Sequence, residues 1–65
     1  METIDTVRAE CRRCDGRWAV GAPAIPGLHT QARRLCEVPD MVRDAARLLD
    51  VRVGRVDCII MKDAA

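Results

Sequence analysis

The sequence predicts an α+β domain: a small antiparallel-type sheet with one helix on one face, in the order β-β-β-α-β. Three observations carry this. Apolar and polar residues alternate with a period of two on both sides of an Asp15-Gly16 dipeptide. The stretch 37–50 repeats its apolar residues at helical spacing. A second alternating run follows at 56–61. With 65 residues there is room for one core. A domain this small buries only about 60% of its unfolded surface. The expected organisation is therefore a single domain, 1–65.

The first strand runs from Ile4 to Cys11. Val7, Ala9 and Cys11 fall on one side, and Thr6, Arg8 and Glu10 on the other. Asp15-Gly16 suits the positive backbone angles of a tight hairpin turn. Trp18, Val20 and Ala22 then share a face, and Trp18 is the largest core candidate. A β-hairpin over 4–22 follows. The next stretch, Gly21-Ala22-Pro23-Ala24-Ile25-Pro26-Gly27, cannot be helical, because its prolines and glycines set the backbone. Pro26-Gly27 fits the centre of a type II turn. Leu28 to Arg33 returns as a third strand, with Leu28, Thr30 and Ala32 on one face and His29, Gln31 and Arg33 on the other.

The helix is expected from Glu37 to Asp50. At about 100° per residue, Val38, Met41, Val42, Ala45, Ala46, Leu48 and Leu49 form one arc. Asp40–Arg43 and Asp44–Arg47 are spaced for i,i+3 ion pairs. Pro39 is tolerated in the first turn, where its missing amide has no partner to lose. No glycine follows Leu49, and Gly54 is read as a break in the connection to the last strand. That strand is expected over Val56–Met61, with the outer face around Ile59 partly covered.

Composition excludes several functions. Lys+Arg 11 against Asp+Glu 10 leaves the chain nearly neutral, unlike a dedicated nucleic-acid binder. Trp18 is the only aromatic residue, so base stacking has no platform. No run approaches the ~20 apolar residues of a membrane span. Glu2, Asp5, Arg8 and Glu10 interrupt the place of a signal-peptide apolar region. A cytoplasmic location is therefore expected, and with it four cysteines as thiols.

The run Pro23-Ala24-Ile25-Pro26-Gly27-Leu28-His29-Thr30-Gln31-Ala32 resembles the signature of the HicB-like antitoxins: a Pro-x-hydrophobic-Pro-Gly turn, then a Thr or Ser, then a helix. Asp15-Gly16-Arg17-Trp18 resembles the family's preceding hairpin. Ala32-Arg33-Arg34-Leu35 with Met41-Val42-Arg43-Asp44-Ala45 resembles its helix start. The resemblance covers roughly residues 6–61. It implies a truncated ribonuclease-H-like fold in a bacterial toxin–antitoxin system. It also implies a partner: a HicA-like toxin, a small basic ribonuclease that cuts messenger RNA. The chain would neutralise it by masking its active site, without catalysis and without a cofactor. The family's usual DNA-binding domain has no counterpart here, so operator binding by this chain is not expected. Cys36 stands where an Asp N-cap is usual, which weakens the helix start by ~1 kcal/mol. Ala19 replaces a frequent second aromatic beside Trp18.

Candidate site residues follow. Ribonuclease-H chemistry needs carboxylates converging on two metal ions. Asp5, Glu10 and Asp57 are scattered along the strands, and a non-enzyme is expected. Cys11-Arg12-Arg13-Cys14 is a CxxC, but zinc would need two more ligands from Cys36, Cys58 or His29, which form no second CxxC. It also precedes a turn and not a helix, unlike a redox CxxC. The preferred reading is two plain thiols and no metal. Arg12, Arg13, Arg17, Arg33 and Arg34 read as a solvated surface balanced by nearby acids. The partner-binding candidates are Pro26 and Gly27, which shape the turn, and His29, Gln31 and Arg33 on the outer face. A homo-oligomer is also expected, since the sheet face away from the helix needs cover. Two alternatives stand beside the antitoxin: an orphan homodimer of the same fold without a toxin, and a small zinc- or RNA-binding module.

Overall fold

Alternation builds the first three strands as expected. The computed structural model describes residues 2–61. In it, β1 (Glu2–Cys14), β2 (Arg17–Gly21) and β3 (His29–Ala32) form an antiparallel meander. Asp15 and Gly16 both take positive φ, 51° and 76°, as a two-residue hairpin turn of matching twist demands. The second connection is two successive turns. Ile25 N–H donates to Ala22 O at 3.0 Å, and Leu28 N–H to Ile25 O at 3.1 Å. Gly27, at φ 85°, takes the left-handed position after Pro26, which completes a type II turn. Ala22, Ile25 and Leu28 point inward from this segment and are buried.

A 3-10 turn, Leu35–Glu37, leads into α1 (Val38–Leu48), one residue later than the expected start. Glu37 at the N-cap makes no side-chain capping bond. The helix stops where Asp50 adopts φ 58°, doing the work that glycine usually does after a helix. Val38, Val42 and Ala46 are fully buried, and Met41 and Ala45 pack beside them. Leu48 and Leu49 correct the expected arc: they are 88% and 43% exposed. Leu48 sits about 120° around the helix from Val42, the middle of the buried stripe, at 100° per residue. Leu49 sits at the C-cap, where the chain turns away into the last strand.

That strand, β4, spans Val51–Ile60, five residues longer at its start than expected. It lies beside β1 and runs parallel to it, so the sheet is mixed and not all antiparallel, in the order β3-β2-β1-β4. The reason is the connection. A helix that returns along the sheet lets the next strand run in the direction of β3, which is also that of β1.

The β1–β4 pair contains an irregularity. Ile4 pairs with Val53, and both turn toward the core; Val7 pairs with Val56, and both again turn toward the core. Three residues separate each set, so strict alternation would put them on opposite faces. The hydrogen bonds change phase as well. Glu2 N–H donates to Asp50 O at 3.1 Å, and Met61 N–H to Cys11 O at 2.8 Å; one regular parallel ladder cannot contain both. The register offset is nevertheless the same on both sides. Both strands therefore switch face together, at Asp5 and Gly54.

The core is one cluster between the sheet and α1, joining Val7, Ala9 and Cys11 to Val20, Leu28, Ala32, Val51 and Val53. Trp18 is only half-buried at its margin, with the Arg13 guanidinium 5.8 Å from its ring centre. No helix among the described residues is long and apolar enough to cross a membrane.

Candidate functional site

Among the described residues nothing covers the sheet face opposite α1, and its middle is low. On β2 the residues facing outward are Arg17, Ala19 and Gly21, and the last two are small. The register places Gly21 between Glu10 of β1 and His29 of β3, and Ala19 between Arg12 and Gln31. Two small residues flanked by four long ones make a trough along β2, with a volume of about 410 Å³. Gly21 is not required by the backbone, since it is absent from the positive-φ positions. Nor is it required by packing. A methyl group there would meet Leu28 O at 3.7 Å and His29 Nδ1 at 3.9 Å, both ordinary contacts. Glycine inside a strand weakens it. What it contributes here is depth.

Of the five partner-binding candidates, His29 and Gln31 line this trough, and Pro26, Gly27 and Arg33 lie outside it. His29 and Gln31 form its β3 wall. Pro26 and Gly27, at the exposed tip of the preceding turn, share a smaller hollow with His29 and Glu10. Arg33 follows β3 and continues the surface from Gln31 toward Arg17 and Glu37. Sequence reading missed the opposite wall, Glu10 and Arg12, and the floor, Ala19 and Gly21. Their signal lay in the hairpin register: pairing Cys14 with Arg17 across Asp15-Gly16 brings Arg12 level with Ala19.

The other candidates separate. Cys11 is buried and Cys14 exposed. Three residues apart on one strand, they point to opposite faces and cannot share an ion. The nearer thiol to Cys11 is Cys58, its diagonal neighbour on β4. Burial, and secondarily the Cys58 thiol, push the Cys11 thiol above its ordinary range. Among the described residues no group of three or more His, Cys, Asp or Glu side chains is placed to hold a metal ion. The register makes Glu10 and Asp57 diagonal neighbours on the open face, while Asp5 lies at the switch point. Asp57 is taken up by Arg55, Nε to Oδ1 at 3.1 Å. Of the two expected helix pairs, Asp40–Arg43 forms at 3.3 Å. The second, Asp44–Arg47, is not among the ion pairs of the described residues.

No protein-family model matches this sequence, and no curated protein or solved structure is significantly similar to it.

Proposed function

We propose that this chain is a non-enzymatic antitoxin of the HicB-like kind, which binds a small ribonuclease and masks its active site. The observation that carries the proposal is the trough over Ala19 and Gly21. It is shallow, open and walled by one acid, one base, one imidazole and one amide. Such a surface suits a protein segment laid across the sheet, with charges of both signs to fix its orientation. The adjoining turn, built by Pro26 and Gly27, extends the contact. The element order β-β-β-α-β, and the signature-like run that forms the turn and β3, support the same reading. The mechanism is occlusion: no group of this chain needs to react.

The experiment is a tagged pull-down from the source cell with intact-mass analysis of what co-purifies. A small basic protein in stoichiometric amount, whose RNA cleavage stops when this chain is added back, supports the antitoxin. Recovery of the chain with no protein partner counts against it.

A further inference from the structure

The low ground on the open face does not stop at Ala19. Beyond the trough lie a hollow lined by Cys14, Asp15 and Arg17 and another lined by Arg17, Arg33 and Glu37, and Gln31 borders all of them. Strand register explains the join. Arg12 stands beside Ala19, and Ala19 beside Gln31; in the next row on this face, Cys14 stands beside Arg17. Carried one residue past Trp18–Ala32, the β2–β3 pairing brings Arg33 level with Arg17. Arg12, Arg17 and Arg33, all exposed, therefore gather around Gln31 at one end of the face.

Like charges opposite one another on neighbouring strands destabilise a sheet, and Arg17 against Arg33 is such a pair. The acids beside them are Asp15 and Glu37, and neither relieves it: among the described residues the ion pairs are Arg43–Asp40 and Arg55–Asp57. At the other end of the trough, Glu10 and His29 flank Gly21. We propose that the arginine end is a carboxylate site. It takes an acidic side chain of the protein segment that lies along β2, with a basic residue of that segment at Glu10. This rests on the trough being a protein-binding surface and names the chemistry of what binds there.

Guanidinium groups grip carboxylate and phosphate alike through paired N–H donors, so charge alone admits RNA as well. Two features favour a carboxylate on a protein. Nucleic acid is negative at every nucleotide, and a strand laid along the trough would press a phosphate against Glu10. Single strands also stack their bases on aromatic rings. Trp18, the only aromatic residue, packs against the core on the other side of the sheet. A segment with charges of both signs meets neither obstacle. At about 3.3 Å per residue along β1, the row of Glu10 lies about 13 Å from the row of Cys14 and Arg17. An extended segment whose acid and base stand about four residues apart spans that distance.

The test uses the chain alone. Its arginine Nε–H signals are followed by NMR at low ionic strength during titration with a capped tetraglutamate peptide. The expected result is saturable movement of the Arg12, Arg17 and Arg33 signals while those of Arg47 and Arg52 stay still. Arg17→Gln should weaken peptide binding about 3- to 5-fold, the loss of one exposed charge pair, and Arg52→Gln should leave it unchanged. Without peptide, Arg17→Gln should melt no lower than the wild type, since it removes a like-charge pair. No movement, movement spread over all the arginines, affinity indifferent to Arg17→Gln, or a lower melting temperature of that variant overturns the proposal. So does tighter binding of an oligouridylate of equal charge at the same arginines, which would give this end of the face to RNA. No ribonuclease enters the titration, so its failure removes the carboxylate site alone, and the pull-down decides the antitoxin separately.

Discussion

Arg43 of α1 donates from both Nε and Nη2 to the carbonyl oxygen of Gly54, at 3.1 and 2.9 Å. Gly54 is the residue at which β4 changes face. Its backbone passes so near β1 that a methyl group would lie 2.7 Å from Asp5 O. The helix thus holds the irregular point of the sheet, and Asp40 steadies the guanidinium from Nη1 at 3.3 Å. Fold and site are linked here: the switch decides which residues of β1 and β4 face the core and which face the open side.

Gly54→Ala should therefore destabilise the domain by about 1–3 kcal/mol, because the contact is with backbone that cannot step aside. Arg43→Ala should cost about 1 kcal/mol, the value of charged hydrogen bonds reduced by their exposure to water. Thermal unfolding checks both. An unchanged midpoint for Gly54→Ala would mean the two strands do not approach this closely.

The C-terminal turn of α1 offers the opposite sign. Asp50 sits at φ 58° with an exposed side chain, where glycine carries no Cβ strain. Asp50→Gly should stabilise by about 0.5–1 kcal/mol, or raise the melting temperature by roughly 4 °C. A lower melting temperature would show that the Asp50 side chain has a role of its own.

Alkaline pH should weaken the fold through Cys11. Its thiol is buried and ionises above the ordinary 9.0. The unfolded chain releases this proton first as pH rises, so the unfolded state binds fewer protons. Stability is intact below about pH 9 and falls as pH climbs from there toward the folded-state value. Cys11→Ala should remove that part of the alkaline decline, at a uniform cost of about 1 kcal/mol for the lost sulfur. Denaturant titrations of both proteins at neutral and alkaline pH measure it; parallel pH profiles would contradict it.

Much of the architecture was legible in the order of residues. Val7, Ala9 and Cys11 alternate and are buried; Val38, Val42 and Ala46 follow the helical stripe and are buried. Two regions were not. Gly54 read as a break because glycine weakens strands in general, whereas here a long-range approach to Asp5 excludes a side chain. That approach depends on the pairing of β1 with β4, 49 positions apart in the chain, which no local pattern reports. Ile59 was expected to be partly covered, yet it is exposed in the single chain, because α1 and the strands beside it leave that edge of the sheet open. Of the candidate site, the β3 wall was readable from alternation. The floor was not, because Ala19 and Gly21 are informative only through what flanks them across the sheet.

The antitoxin proposal makes the floor of the trough its weakest point. Ala19 is exposed, so Ala19→Arg fills the trough without touching the core. The most direct measurement is RNA cleavage by the co-purified ribonuclease, with the wild-type chain or folded Ala19→Arg added back in equal amount. Inhibition by the wild type, lost by at least ~100-fold in affinity with Ala19→Arg, is the predicted result; about 2.7 kcal/mol is within reach of one residue at the centre of an interface. Cleavage that continues in the presence of the wild-type chain, or is inhibited equally by both proteins, would contradict it.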